Sequence, residues 1–167
     1  LIGNDDSHDV SDITDIATRF TMINADENEA KKILSSLENG NAVGVDFPII
    51  YDETLEQKIK RLKKNLPHIT QVELNDDTLL VSASKPISKI RFIGQEGKEL
   101  KTQKNIKTGT YAIQPEDNYV RCELKFKDGT TLYLNPITRH ENNEITKQRL
   151  DHINYPKTII LWTVYLS

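Results

Sequence analysis

The amino-acid sequence predicts an α+β protein, a strand-and-helix piece followed by a small antiparallel β-sandwich, and three observations carry that prediction. Charge divides the chain: residues 1–46 hold three basic and ten acidic side chains, net −7, whereas residues 47–167 hold nineteen and fifteen, net +4. Two segments before Pro67 repeat apolar residues at helical spacing. From His68 onward, short alternating runs are separated by turn signals. The charge break places a boundary near Phe47-Pro48, and sections of opposite sign are expected to belong to different structural units.

In chain order, Leu1-Ile2-Gly3 reads as the end of a buried strand, followed by a polar, acidic loop from Asn4 to Asp15. Arg19 to Ile23 is a second short strand. Asp26 and Glu29 have capping-box spacing, which predicts a helix from about Glu27 to Asn39. Its Ala30, Ile33, Leu34 and Leu37 form one apolar stripe for packing on a sheet, and Gly40 supplies the left-handed stop. A connector helix is expected over about 53–65, within a linking segment 47–67, with Asp52 as cap, Leu55, Ile59, Leu62 and Leu66 as stripe, and Pro67 as terminator. Glu53 and Glu56 at its start and Lys60, Arg61, Lys63 and Lys64 at its end complement the helix dipole, so the Lys58 to Lys64 run reads as a solvated basic face.

The sandwich is expected over 68–137. Its strands are His68 to Leu74, Thr78 to Ser84, Ser88 to Ile93, Thr110 to Ile113, Tyr119 to Phe126 and Thr130 to Leu134. Lys85-Pro86 separates the second from the third, and Asp128-Gly129 is a hairpin turn. Ile90 and Phe92, then Val120, Cys122, Leu124 and Phe126, then Leu132 and Leu134, alternate with polar neighbours, so one face of each strand is buried.

With a formal net charge of −3 nothing points to a wholesale nucleic-acid binder, and no nucleic-acid partner is expected. Mean hydropathy of −0.55 lies on the polar side of globular composition without reaching the disordered class. A lone cysteine, Cys122, can form neither an internal disulfide nor a Cys-rich zinc site, and it reads as a buried structural thiol. Opening on Leu1 without a leader, the chain reads as a fragment. The tail, 138–167, ends in the apolar run Thr158 to Leu166, introduced by Asn154-Tyr155-Pro156-Lys157. That run is either the start of a membrane anchor, which makes a membrane a possible partner, or a last buried strand.

The best chemical candidate is Asp6-Ser7-His8. Extended backbone points Asp6 and His8 the same way, so a carboxylate oxygen and an imidazole nitrogen can meet one metal ion while Ser7 points elsewhere. His68, His140 and His152 have no fixed spacing to other ligands, and no elbow motif supports a Ser/His/Asp nucleophile.

Gly3-Asn4-Asp5-Asp6-Ser7-His8-Asp9 resembles the last metal-binding motif of the polymerase-and-histidinol-phosphatase (PHP) superfamily. The segments that follow, Arg19 to Ile23, Ala25-Asp26-Glu27, Ala30 to Leu37 and Gly40 to Val45, are similar to the last strand, cap, helix and exit of that barrel. Ile87 to Gly94 through Gly97, and Tyr119-Val120-Arg121, resemble the immunoglobulin-like domain appended to some bacterial members. The resemblance implies that residues 1–46 end a PHP-type β/α barrel and that 68–137 form an immunoglobulin-like sandwich. It implies a cluster of divalent ions (Zn, Mn or Fe) that hydrolyses a phosphoester substrate, with Asp6 and His8 as two of its ligands. The earlier H-x-H motif and the further Glu and His ligands are absent from this chain, so the fragment alone is expected to be catalytically inert. Parents with such an appended sandwich are often exported, which implies the cell envelope. The alternative is a non-catalytic accessory module that binds a partner or props a neighbouring domain.

Overall fold

The computed structural model describes residues 2–9 and 11–139, and the His140, His152 and apolar-tail expectations lie outside them. Described elements are β1 (Arg19–Ile23), α1 (Ala30–Glu38), β2 (Ala42–Asp46), α2 (Leu55–Asn65), β3 (Ile69–Asn75), β4 (Thr78–Ile93), β5 (Glu99–Ala112), β6 (Tyr119–Lys125), β7 (Thr131–Leu134) and β8 (Ile137–Thr138). Among the described residues every strand pairing is antiparallel and strands outnumber the two α-helices, a β-rich fold as the alternating runs predict. The main sheet runs β1-β2-β7-β6-β4-β3, with β5 on β4 and β8 on β6. Because β2 pairs with β7, one sheet carries strands from both the acidic and the basic section.

The long β4 is the hinge of this architecture. Its first half, Thr78 to Ala83, lies beside β3, and its second half, Lys89 to Ile93, lies beside β6, while β5 follows it along both. The sheet curls, and one core collects Leu79 and Val81 from the first half, Ile90 and Phe92 from the second, and Val45, Leu124 and Leu132 from the strands beyond. The Phe92 and Tyr111 rings stack across it with centroids 5.4 Å apart. Each such fully buried side chain contributes roughly 1.5–3 kcal/mol.

Local expectations are corrected at several points. Residues 2–7 form no regular strand, and Ile2 is 75% exposed. The Asp26/Glu29 capping box does not form; Glu29 is itself the N-cap, without a side-chain bond. No α1 residue is fully buried: of its apolar stripe Ile33 and Leu37 are half-buried while Ala30 and Leu34, the latter 59% exposed, face solvent, so the stripe is covered only in part. Thr54, not Asp52, caps α2: its hydroxyl accepts from Gln57 N while the Gln57 side chain accepts from Thr54 N. Lys85-Pro86 does not end a strand, since β4 absorbs it as an irregularity between Ser82 and Ile87. β5 begins eleven residues earlier than the predicted Thr110 start, because its polar, Lys-rich first half is held by the β4 ladder, with only Leu100 and Ile106 packed against the core. The Asp128-Gly129 turn forms as expected, with Phe126 N donating to Thr130 O and Gly129 at φ 93°.

Candidate functional site

The Asp6-Ser7-His8 loop is placed by its flanks. Gly3 N donates to Thr21 Oγ1 at 2.8 Å, and the same hydroxyl donates back to Gly3 O at 3.2 Å. The backbones are so close there that a β-carbon on residue 3 would sit 2.6 Å from Phe20 O. Two residues on, Asp5 Oδ2 accepts from Ala17 N at 2.6 Å and closes the loop on the turn just before β1. Exposure alternates along the segment: Gly3, Asp5 and Ser7 are half-buried, while Asn4, Asp6 and His8 are exposed. Asp6 and His8 are thus both exposed to solvent, and the buried Ser7 Oγ has no partner among the described residues. Asp6 adopts φ 53°, a left-handed turn that aspartate tolerates better than most residues.

The next turns are built from aspartates that bond forward to their own backbone. Asp9 Oδ1 accepts from Ser11 N and Oγ, and Asp12 Oδ1 from Thr14 N and Oγ1. These hydroxyl and backbone bonds stabilise the ionised forms, so both carboxyls titrate below the usual carboxylate range. Asp9, adjacent to His8, is therefore committed to its turn.

α2 clamps this loop from the other side. Lys58, only 3% exposed, donates from Nζ to the carbonyl oxygens of Ile13 and Ile16. Desolvation, then the neighbouring Arg61 charge, lowers its pKa. Arg61 also points inward: it binds Glu53 through Nε (2.8 Å) and Nη2 (2.7 Å), reaches Pro48 O at 3.0 Å, and lies 4.2 Å over the Phe47 ring. Glu53 in turn is held below its ordinary pKa, chiefly by the Arg61 bond. The expected solvated face of α2 is therefore corrected at Lys58 and Arg61, while Leu55 and Ile59 of the expected buried stripe are exposed. The sequence does hold a signal for Lys58: it falls three residues after Leu55 and four before Leu62, in line with the stripe.

Other candidates separate. Cys122 is 3% exposed, and burial pushes its thiol up to about 12. His68 is exposed at the start of the β3 hairpin, where its backbone exchanges bonds with Ser84. Among the described residues, no group of three or more His, Cys, Asp and Glu side chains is arranged to hold a metal, so Asp6 and His8 supply at most two donors. A cleft of about 330 Å³ opens beside the loop, lined by Asn4, Arg19, Asp46 and Tyr133 among others. A wider groove of about 760 Å³ lies between β3 and the ends of β1, β2 and β7, with Met22, Ile69 and Val72 for apolar lining and Asn24, Asn41 and Gln71 for polar lining. Among the described residues, no helix is long and apolar enough to cross a membrane. In comparison with known proteins, the chain matches no family model, and no curated protein or solved structure is significantly similar to it.

Proposed function

We propose that this chain is the C-terminal part of a metal-dependent phosphoesterase of PHP type, that Asp6 and His8 are the last ligands of its divalent-metal cluster, and that the strands after Pro67 form an accessory immunoglobulin-like sandwich. One observation carries the reading. The loop that carries Asp6-Ser7-His8 is held before them at Gly3 and Asp5 and after them at Ile13 and Ile16 by Lys58, yet the Asp6 carboxylate and the His8 imidazole stand exposed without a hydrogen-bond partner among the described residues. A carboxylate and an imidazole held this way fit part of a divalent ion's shell. They do not fill it, and the remaining donors belong to residues outside this chain.

When bound, such a cluster supplies a hydroxide at neutral pH and neutralises charge on the phosphoryl group. The chain's own contribution is positional: Lys58 and the Asp9 and Asp12 turns fix the loop, and Leu34, the exposed member of the α1 stripe, is suited to packing on the rest of a barrel. A non-catalytic accessory module of a cell-envelope protein is the second reading, and the apolar and amide-lined groove beside β3 favours it.

The test has two arms. Calorimetric titration of this chain with Zn²⁺ or Mn²⁺ is expected to show binding weaker than micromolar. In the full reading frame that encodes it, Asp6→Asn and His8→Gln are expected to abolish phosphomonoester hydrolysis with the fold intact. Undiminished hydrolysis in those variants, or a reading frame without H-x-H and further His and Glu ligands upstream, overturns the proposal in favour of the accessory module.

A further inference from the structure

We propose that the outer face of the sheet around Lys89 is a docking surface for anionic lipid headgroups, independent of the Asp6/His8 loop and of the phosphoesterase reading. The antiparallel register sets Lys89 of β4 opposite Lys104 of β5 on one side and Lys125 of β6 on the other. Three lysines therefore stand in one row on three neighbouring strands, about 4.8 Å apart per strand. Alternation turns them outward: Ile90 and Leu124, the next residues, are fully buried, whereas Lys104 and Lys125 are exposed and Lys89 is half-buried. None of the three makes a hydrogen bond or an ion pair among the described residues, although Lys89 lies close enough to Glu99 to help hold that carboxyl below its ordinary pKa.

The acids nearest in register are already engaged. Arg91, one row over on β4, binds Glu99 at 2.9 Å and Glu123 at 3.0 Å, and Arg121 adds a bond to Glu123 at 2.6 Å. The patch thus sets five cations against two carboxylates, a net charge of +3. Like charges directly opposite on a ladder destabilise a sheet. Such a row lowers folding stability unless an external anion lies across it, so its arrangement makes physical sense as a binding surface.

Shape selects among anions. The row lies on the outer face of paired strands and lines neither cleft. Flexible ammonium groups without backbone N–H donors or a guanidinium fork do not enclose a single small phosphate. A plane of phospholipid headgroups, by contrast, engages all three lysines at once. Single-stranded nucleic acid wants stacking platforms, and the Lys104, Lys89 and Lys125 row has no aromatic member.

Vesicle flotation of the whole chain tests this, with phosphatidylcholine vesicles prepared with and without phosphatidylglycerol. Binding is expected to be stronger to the anionic vesicles and to fall as salt rises. The triple variant Lys89→Gln, Lys104→Gln, Lys125→Gln is expected to lose on the order of a hundredfold in affinity for anionic vesicles. The triple Lys→Arg variant should keep it. Loss of repulsion should leave the Gln variant at least as stable as the parent in thermal unfolding, which separates lost binding from lost fold. Equal binding to both vesicle types, unchanged affinity in the Gln variant, or a preference for tripolyphosphate or single-stranded DNA over vesicles would each overturn the proposal.

Discussion

Lys58 Nζ lies 2.6 Å from the carbonyl oxygen of Ile13, so a helix of the basic section holds the acidic loop that carries Asp6 and His8. The ammonium is nearly inaccessible to water, and its hydrogen-bond partners among the described residues are backbone carbonyls and no carboxylate. Its role is to satisfy a turn, and the loop's geometry depends on a residue more than forty positions away.

Replacing that lysine isolates the clamp. Lys58→Met keeps the aliphatic stem but leaves the Ile13 and Ile16 carbonyls without their donor, and about 2 kcal/mol of stability should be lost. Urea unfolding should show a lower midpoint, and amide exchange should accelerate across residues 11–18. An unchanged midpoint with unchanged exchange would show that the loop holds itself.

The Glu53–Arg61 pair predicts an acid limb. Glu53 has a lowered pKa in the fold, so the folded state binds fewer protons than the unfolded chain in the acid window. Its stabilisation is complete above the ordinary glutamate pKa and disappears as pH falls through the lowered value. Glu53→Gln should remove about 1–3 kcal/mol at neutral pH and flatten the decline below about pH 4.5. A variant whose stability falls with acid as steeply as the parent's would refute the assignment.

Gly3 is required by closeness to β1. Gly3→Ala puts a methyl group 2.6 Å from Phe20 O, a backbone atom that cannot swing away. The segment must lift, breaking the Gly3 to Thr21 bonds, and a loss of about 1–3 kcal/mol is expected. Nuclear magnetic resonance of the His8 ring should report a changed environment. Identical spectra for the two proteins would mean that Gly3 does not position the loop.

Cys122 should be silent toward thiol reagents. Its thiol is buried beside Phe92 in the register of β4 and β6, and burial raises its pKa to about 12, so little thiolate exists at neutral pH. Ellman's reagent at pH 8 should label the native chain only as fast as it opens, and should label it fully in guanidinium. Rapid native labelling would contradict this burial.

What could be read from the sequence followed local rules. Strict alternation at Val120, Cys122, Leu124 and Phe126, and at Leu132 and Leu134, predicted the buried faces, because a pleated strand sends successive side chains to opposite sides. The hairpin at Asp128-Gly129 followed from the backbone freedom of glycine. Asp6 and His8 are both exposed, but the left-handed turn at Asp6 breaks the extended backbone on which the alternation argument rested.

Three features were decided only in the folded molecule. The first half of β5 is a polar, Lys-rich run with no apolar periodicity, and it is a strand because the β4 backbone offers it a ladder. β4 runs through Pro86 because β5 continues beside it across the bend, so one missing N–H does not end the strand. α2 turns Lys58 and Arg61 inward and leaves Leu55 and Ile59 outside, since buried carbonyls of a distant loop and the Glu53 carboxylate offer those cations partners. Hydrophobic periodicity describes what a helix avoids in water, but a cation is buried wherever remote oxygen atoms replace its hydration, and only the tertiary structure brings those oxygens to it.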